Sequence, residues 1–370
     1  MARFDNLIAW ERENAGHAIA GANLRGESMA GRDVSGISFV DCDFRDTTWS
    51  QARLCGVKFV DCRLQAADFR GAALENLIFL QSDAARARFD GCTWRNGTIA
   101  GGSFAGATFI DAHVTKLSAA GCSLADADWS RATLLESAWA DVTVSGFVGE
   151  ALRVRSTAWP QIALGEMRLH GAELDRVNLV AARADGMDLR RLRLRQCLFS
   201  DAQLRGAQMQ QMQLDGNQFI KAQLDGARLD GAHAIGVSFA GANAPDAVFT
   251  DAALHGANFA GAMLAHASFA RGGLDRALFH RASLLQASFK GATLRWAHLT
   301  HADLGGADFS GADLADADLH GARTVDAVRP SSWSKARHGD AELLSCERYD
   351  PSELRARGPS TTFEKEHHVP

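Results

Sequence analysis

Histidine is the first residue type whose spacing suggests chemistry. His280, His298, His301 and His320 cluster toward the C-terminal end, with Asp318 among them. Imidazole with carboxylate suits a zinc- or nickel-class cation, provided that a fold brings residues about twenty apart side by side. Spread over about 10 Å of strand surface, these side chains read more simply as solvated. Cys42, Cys62 and Cys122 raise a second option, because thiols one such step apart would lie within disulfide reach. Cysteine is also a small apolar filler where Ala stands elsewhere, and that is the simpler reading. A third group, Arg183, Arg190, Arg191, Arg193 and Arg195, could hold an anion, but Asp185 and Asp188 dilute its field. No phosphate loop ending in GK[ST], no HExxH, no GxSxG and no CxxC occurs. No catalytic residue, cofactor site or metal site is therefore expected, and the chain is read as a non-enzyme.

Each of these groupings depends on a periodicity in the chain. An apolar residue stands at every fifth position from Leu24, Met29, Val34, Phe39 and Phe44 onward to Leu319, sixty positions without an insertion; Gly149 is the one glycine among them. Two residues before each centre the side chain is usually small, as in Ala22, Cys42, Ala52 and Cys62, and two residues after it Gly is frequent, as in Gly226, Gly231 and Gly236. Five matches neither the helical 3.6 nor a long strand of period 2. It fits a short extended segment with residues i−2 and i on one side, followed by a turn that Gly eases.

The segments GANLRG at 21–26, GAHAIG at 231–236, HGANFAGAMLAHASF at 255–269 and GADFSGADLADADLHGA at 306–322 resemble the A(D/N)LXX unit of the pentapeptide repeat family. The resemblance implies an all-β fold, a right-handed quadrilateral β-helix in which four pentapeptides make one square coil of twenty residues. Fifteen such coils at one strand spacing each would form a rod about 72 Å long. A single coil cannot stand alone, since four buried centres gain about 6–12 kcal/mol while ordering its backbone costs more. Stacking must supply the rest, as in other solenoids.

The division expected is an N-terminal cap at 1–20, a repeat body at 21–322 and a C-terminal cap and loose tail at 323–370, with a helix in DAELLSCERYDPSELRARG at 340–358. Between 142 and 169 the i−2 residues become Val142, Phe147, Leu152, Ile162 and Met167, too large for an Ala slot, and a widened or bent coil is expected there.

Read in columns of twenty, one outward column is nearly free of polarity: Val40, Val60, Leu80, Ala100, Ala120, Ala140, Pro160, Val180, Ser200, Ile220, Ala240 and Ala260. The column beside it carries Ile78, Ala138, Ala158, Leu198 and Leu278. The other three faces carry Arg25, Asp185, Arg70, Asp90, Glu75 and Arg95 at the equivalent positions. An apolar strip of this length calls for a covering partner, a second subunit or the chain's own termini. Val40, Val60, Ile78, Leu80, Val180, Leu198 and Ile220 are the expected partner-binding residues.

The 370 residues carry 39 basic and 44 acidic side chains, a net charge of −5. One known role in the resembled family is mimicry of duplex DNA by an acidic rod that binds gyrase and confers quinolone resistance. A full mimic of that length would show about 40 negative charges, and only the end with Asp303, Asp308, Asp313, Asp316 and Asp318 resembles one. The same balance argues against direct nucleic-acid binding. Hydrophobic residues at 46% exclude a disordered chain, and no apolar run is long enough to span a membrane. Seven cysteines and a start lacking a secretory pattern point to the cytoplasm. The leading expectation is a non-catalytic binding or scaffold protein. Gyrase binding is the alternative, as is an accessory or effector-neutralising role, which family members encoded among bacterial secretion systems suggest.

Overall fold

A computed structural model describes residues 18–339 together with Ala9, Leu343, Leu344 and Glu347. The chain winds as a parallel all-β solenoid. Strands of two or three residues stack into two sheets, seven-stranded from Ile19–Ala20 to Ala138–Ala140 and eight-stranded from Arg53–Cys55 to Arg193–Arg195. Every strand pair is parallel and offset by twenty residues: Phe39 faces Phe59 and Phe59 faces Phe79, while Leu54 faces Leu74. Beyond the sheets the same step continues through single bridges, as in Leu278↔His298 and Ser283↔Asp303. The last bridge, Asp318↔Arg337, is nineteen residues long, so the register slips by one at the C-terminal end.

Why a five-residue unit makes a corner is visible in the backbone. The residue two after each centre takes φ near +60° along nearly the whole solenoid, in Asp41, Gln51, Lys116 and Arg271 as well as in glycines. The left-handed turn is therefore imposed by the stack and does not require Gly; Gly only lowers its local cost. Glu166 and Arg191 break this rule, and each ends a 3₁₀ turn, Leu164–Glu166 and Leu189–Arg191. Between them the ladder hydrogen bonds shift, with Gly165 N donating to Arg183 O and Gly171 N to Arg191 O instead of to the residue nineteen ahead. No coil is lost, because Val148↔Arg168 and Ala158↔Asn178 both keep the twenty-residue step.

The core is a set of side-chain columns. Phe239, Phe259 and Phe279 stack with centroids 4.9 and 5.0 Å apart, and Phe249, Phe269 and Phe289 stack on the opposite wall, meeting the first column edge-on. Where a centre is small, its neighbours fill the space. A Cβ at Gly149 would sit 2.9 to 3.1 Å from Leu169, Leu152 and Phe147, so the large i−2 residues occupy the volume that a centre side chain usually fills. Phe147 and Leu152 are fully buried and Ile162 and Met167 nearly so. The solenoid absorbs these large residues by volume exchange, as close packing demands, with the backbone change confined to the two 3₁₀ turns.

Thr47, a buried polar i−2 residue, bonds within its own coil, donating to Phe44 O and accepting from Trp49 Nε1, but other buried polar i−2 positions find partners one coil away. Ser137 Oγ accepts from Leu117 N, Ser82 Oγ accepts from Cys62 N, and Asn217 Oδ1 accepts from Cys197 N. At the C-terminal end Ser331–Lys335 forms a 3₁₀ turn, and Leu343, Leu344 and Glu347 are helical. Most of the N-terminal cap expected at 1–20, most of the helix expected at 340–358 and the tail at 359–370 lie outside the described residues. None of the helices among the described residues is long and apolar enough to cross a membrane.

Candidate functional site

The seven-stranded sheet places the apolar column as the sequence spacing requires. Val40 pairs with Val60, Val60 with Leu80, Leu80 with Ala100, and the line continues through Ala120 to Ala140. Each centre on this wall (Phe39, Phe59, Phe79) is fully buried, so strand alternation turns the residues on either side outward. Ile78 and Leu80 therefore flank Phe79 on the outer surface, both half-buried. Val180, Ile220 and Leu198 continue the same wall, Leu198 through the bridges Asn178↔Leu198 and Leu198↔Gln218. Among the outward positions of this wall between 38 and 260, Lys58 is the one charged residue. The adjacent eight-stranded sheet presents Arg53, Glu75, Arg95, Arg153, Arg155, Glu173 and Asp175 instead. The ion pairs follow that division: Arg193–Glu173, Arg155–Asp175, Arg70–Asp68 and Arg45–Asp43 all lie on the other walls.

Those pairs set the acid response. The Arg45 guanidinium holds the Asp43 carboxyl below the usual carboxylate range, and Arg70, Arg131, Arg190 and Arg271 do the same for Asp68, Asp111, Asp188 and Asp251. A carboxyl whose folded pKa is depressed adds stability above its unfolded value, about 3.9, and that stability is lost as pH falls through the folded value. The thermal midpoint followed by circular dichroism should therefore drop as pH falls below about 4. Asp43→Asn should lower the midpoint at pH 7 and flatten the acid limb. An unchanged acid limb would contradict the assignment.

The cysteines are packing residues. All six described ones are free, and five are buried. Cys42 and Cys62 lie in neighbouring coils, and the thiols of Cys42, Cys62 and Cys197 donate to backbone carbonyls. Burial pushes the Cys92 thiol up to about 12 and those of Cys122 and Cys197 to about 11. The hydrogen bond shared with Cys62 lowers Cys42 to about 7 and pushes Cys62 up. Arg190, Arg191, Arg193 and Arg195 border a groove of about 750 Å³ beside the second 3₁₀ turn, lined also by Leu192, Leu194 and Met212, whereas Arg183 lies apart from them beside Gln161 and Glu166. Arg190 pairs with Asp188 and Arg193 with Glu173, and Arg191 contacts His170 at 3.0 Å. Asp185, expected to dilute the arginine field, turns to Arg205.

At the C-terminal end the histidines are brought together only in part. His301 and His320 meet edge to face, 5.4 Å between ring centroids, with His280 stacked edge-on one step further at 5.8 Å. His298 lies beside Asp318 in the ladder, outside that contact. Sequence reasoning missed Glu347, whose Oε2 lies 3.3 Å from His301 Nε2 and 3.1 Å from His320 Nε2. No periodic signal could have found it, because residue 347 lies beyond the last pentapeptide.

The family match is in the repeats themselves. Eight copies of the pentapeptide repeat model fit residues 37–76, 197–233, 235–271 and 294–323. The chain carries pentapeptide repeats over these four stretches. The unmatched stretch between 76 and 197 contains the large i−2 residues and the two 3₁₀ turns, yet the solenoid runs through it in register. Similar solved structures include QnrB1, a plasmid-mediated fluoroquinolone resistance protein, at 20% identity over 48% of this chain and 90% of that one, with a TM-score of 0.29. HetL, a pentapeptide repeat protein involved in heterocyst differentiation regulation from the cyanobacterium Nostoc sp. strain PCC 7120, shares 19% identity over 87% of this chain and 92% of its own, with a TM-score of 0.17. A pentapeptide repeat protein of the Arabidopsis thaliana thylakoid lumen shares 25% over 29% of this chain and 68% of its own, with a TM-score of 0.20. No curated protein matches the sequence.

Proposed function

We propose that this protein is a non-catalytic binding protein whose uncharged wall engages a protein partner or a second copy of the chain. The observation that carries this reading is the line Val40, Val60 and Leu80, flanked by Ile78 and continued by Val180, Leu198 and Ile220, with Lys58 the single charge among the positions that flank the wall's centres between 38 and 260. Removing charge from one wall while the other walls carry many is the pattern expected of an interface core. Free, buried thiols support a reducing compartment, and the cytoplasm is the home proposed.

The test compares wild type with a Val40→Asp, Val60→Asp, Leu80→Asp variant in pull-downs from native lysate, with sedimentation velocity reporting self-association. Loss of a specific partner, or of a dimer, is expected; identical partner sets and identical sedimentation for the two proteins contradict the reading.

The DNA-mimic alternative gains no support from the acidic end. Asp303 pairs with Arg323, Asp308 with Lys290, Asp313 with Arg295 and Asp318 with Arg337, so four of the five carboxylates that resemble phosphate charges carry a cationic neighbour.

A further inference from the structure

The C-terminal end of the same wall changes character from apolar to histidine-rich, and the helical segment returns to it. Leu344 and Glu347, three residues apart, lie on one helix face. Leu344 borders a hollow with Leu319, Ala322 and Trp333 on the last coil, while Glu347 reaches His301 and His320. We propose that His301, His320 and Glu347 form a binding site for a zinc-class divalent cation that ties the C-terminal segment to the last coils.

Four features carry the proposal. The donor set, two imidazoles and a carboxylate, is one that zinc takes with an open fourth position for water. Zinc bonds of about 2.0–2.2 Å at tetrahedral angles put ligand atoms about 3.3–3.5 Å apart; the two His Nε2 to Glu Oε2 separations are 3.3 and 3.1 Å, and the three ligand atoms all lie within 4.8 Å of one another. The His320 side chain is only 14% exposed and that of His301 32%, so the imidazoles are held rather than free in solvent. Finally, the backbone makes room for the rings: a Cβ at Gly321 would overlap the His301 ring, and one at Gly339 would stand 3.1 Å from His320 Nδ1. On binding, the two Nε2 atoms present lone pairs to the cation in place of the hydrogen bond between His320 Nε2 and Glu347 Oε2 and the 3.3 Å contact of His301 Nε2 with the same oxygen, and any protons they carried leave to solvent.

The full chain titrated with zinc chloride in an isothermal calorimeter tests this. One equivalent is expected to bind, and His320→Ala and Glu347→Gln are each expected to weaken it at least about 100-fold, more than the loss of an outer-shell partner. His298→Ala, one step away on the wall, and a His367→Ala, His368→Ala double variant of the C-terminal histidine pair should bind as wild type does. Thermal melts of each variant without metal confirm that it folds. The proposal is overturned if wild type shows no saturable zinc binding, if His320→Ala and Glu347→Gln bind as wild type does, or if affinity is lost only in the variant lacking His367 and His368.

Discussion

Replacing Phe259 with alanine should destabilise the solenoid by about 3–5 kcal/mol. Phe259 is fully buried and stacks on Phe239 at 4.9 Å and on Phe279 at 5.0 Å, while Phe249 and Phe269 meet it edge-on at 5.5 Å. Truncation opens a cavity bordered by four rings. Those rings cannot close in, since each is itself held by the coil above or below; Phe269, for example, stacks on Phe249 and Phe289. In a solenoid each coil is held by its neighbours, so a hole in one rung weakens both adjacent interfaces. The measurement is the urea midpoint of the purified chain. Ala260→Ser, on the outward side of the same segment, should move it by no more than about 0.5 kcal/mol. Equal shifts for the two would mean that the Phe column is not the source of stability.

The same alternation explains how much could be read from the sequence. The fivefold period fixes which residues turn inward, and four fives make twenty, so Val40, Val60 and Leu80 align in the structure as the spacing requires. The Phe columns and the adjacency of Cys42 and Cys62 follow from the same arithmetic. What the period cannot encode was not legible. The turn residue adopts positive φ in Asp, Gln, Lys and Arg as readily as in Gly, because the stack above and below sets the corner and local preference does not. The volume exchange around Gly149 depends on contacts with Leu152 and Leu169, which lie in other repeats. The Glu347 contact with His301 and His320 comes from a segment with no repeat, placed by Leu344 against the last coil. Charge counts also said little about the acidic end, because its lysine and arginine partners come from other coils.

The triple variant Val40→Asp, Val60→Asp, Leu80→Asp is expected to weaken partner binding at least about 100-fold, equivalent to about 2.7 kcal/mol. A carboxylate carried into an apolar contact without a partner loses its hydration and gains nothing in return. Three of them, spaced one coil apart, would also repel one another across the strands. The fold should survive, because these side chains point outward and each substitution costs at most about 1 kcal/mol of strand preference. A cooperative melt near that of wild type, together with lost binding, separates an interface from a core. A variant that melts far earlier would place these residues in the core, against the burial pattern of their strands.

Photo-crosslinking by wall is the most direct measurement. A benzophenone amino acid placed at position 60 or 80, on the uncharged wall, is compared with the same group at position 75 or 95, on the charged wall beside it. Discrete adducts, with one partner or with a second copy of the chain, are expected from 60 and 80 and not from 75 and 95. Adducts from 75 and 95 with none from 60 and 80 would show that the protein works through a different face.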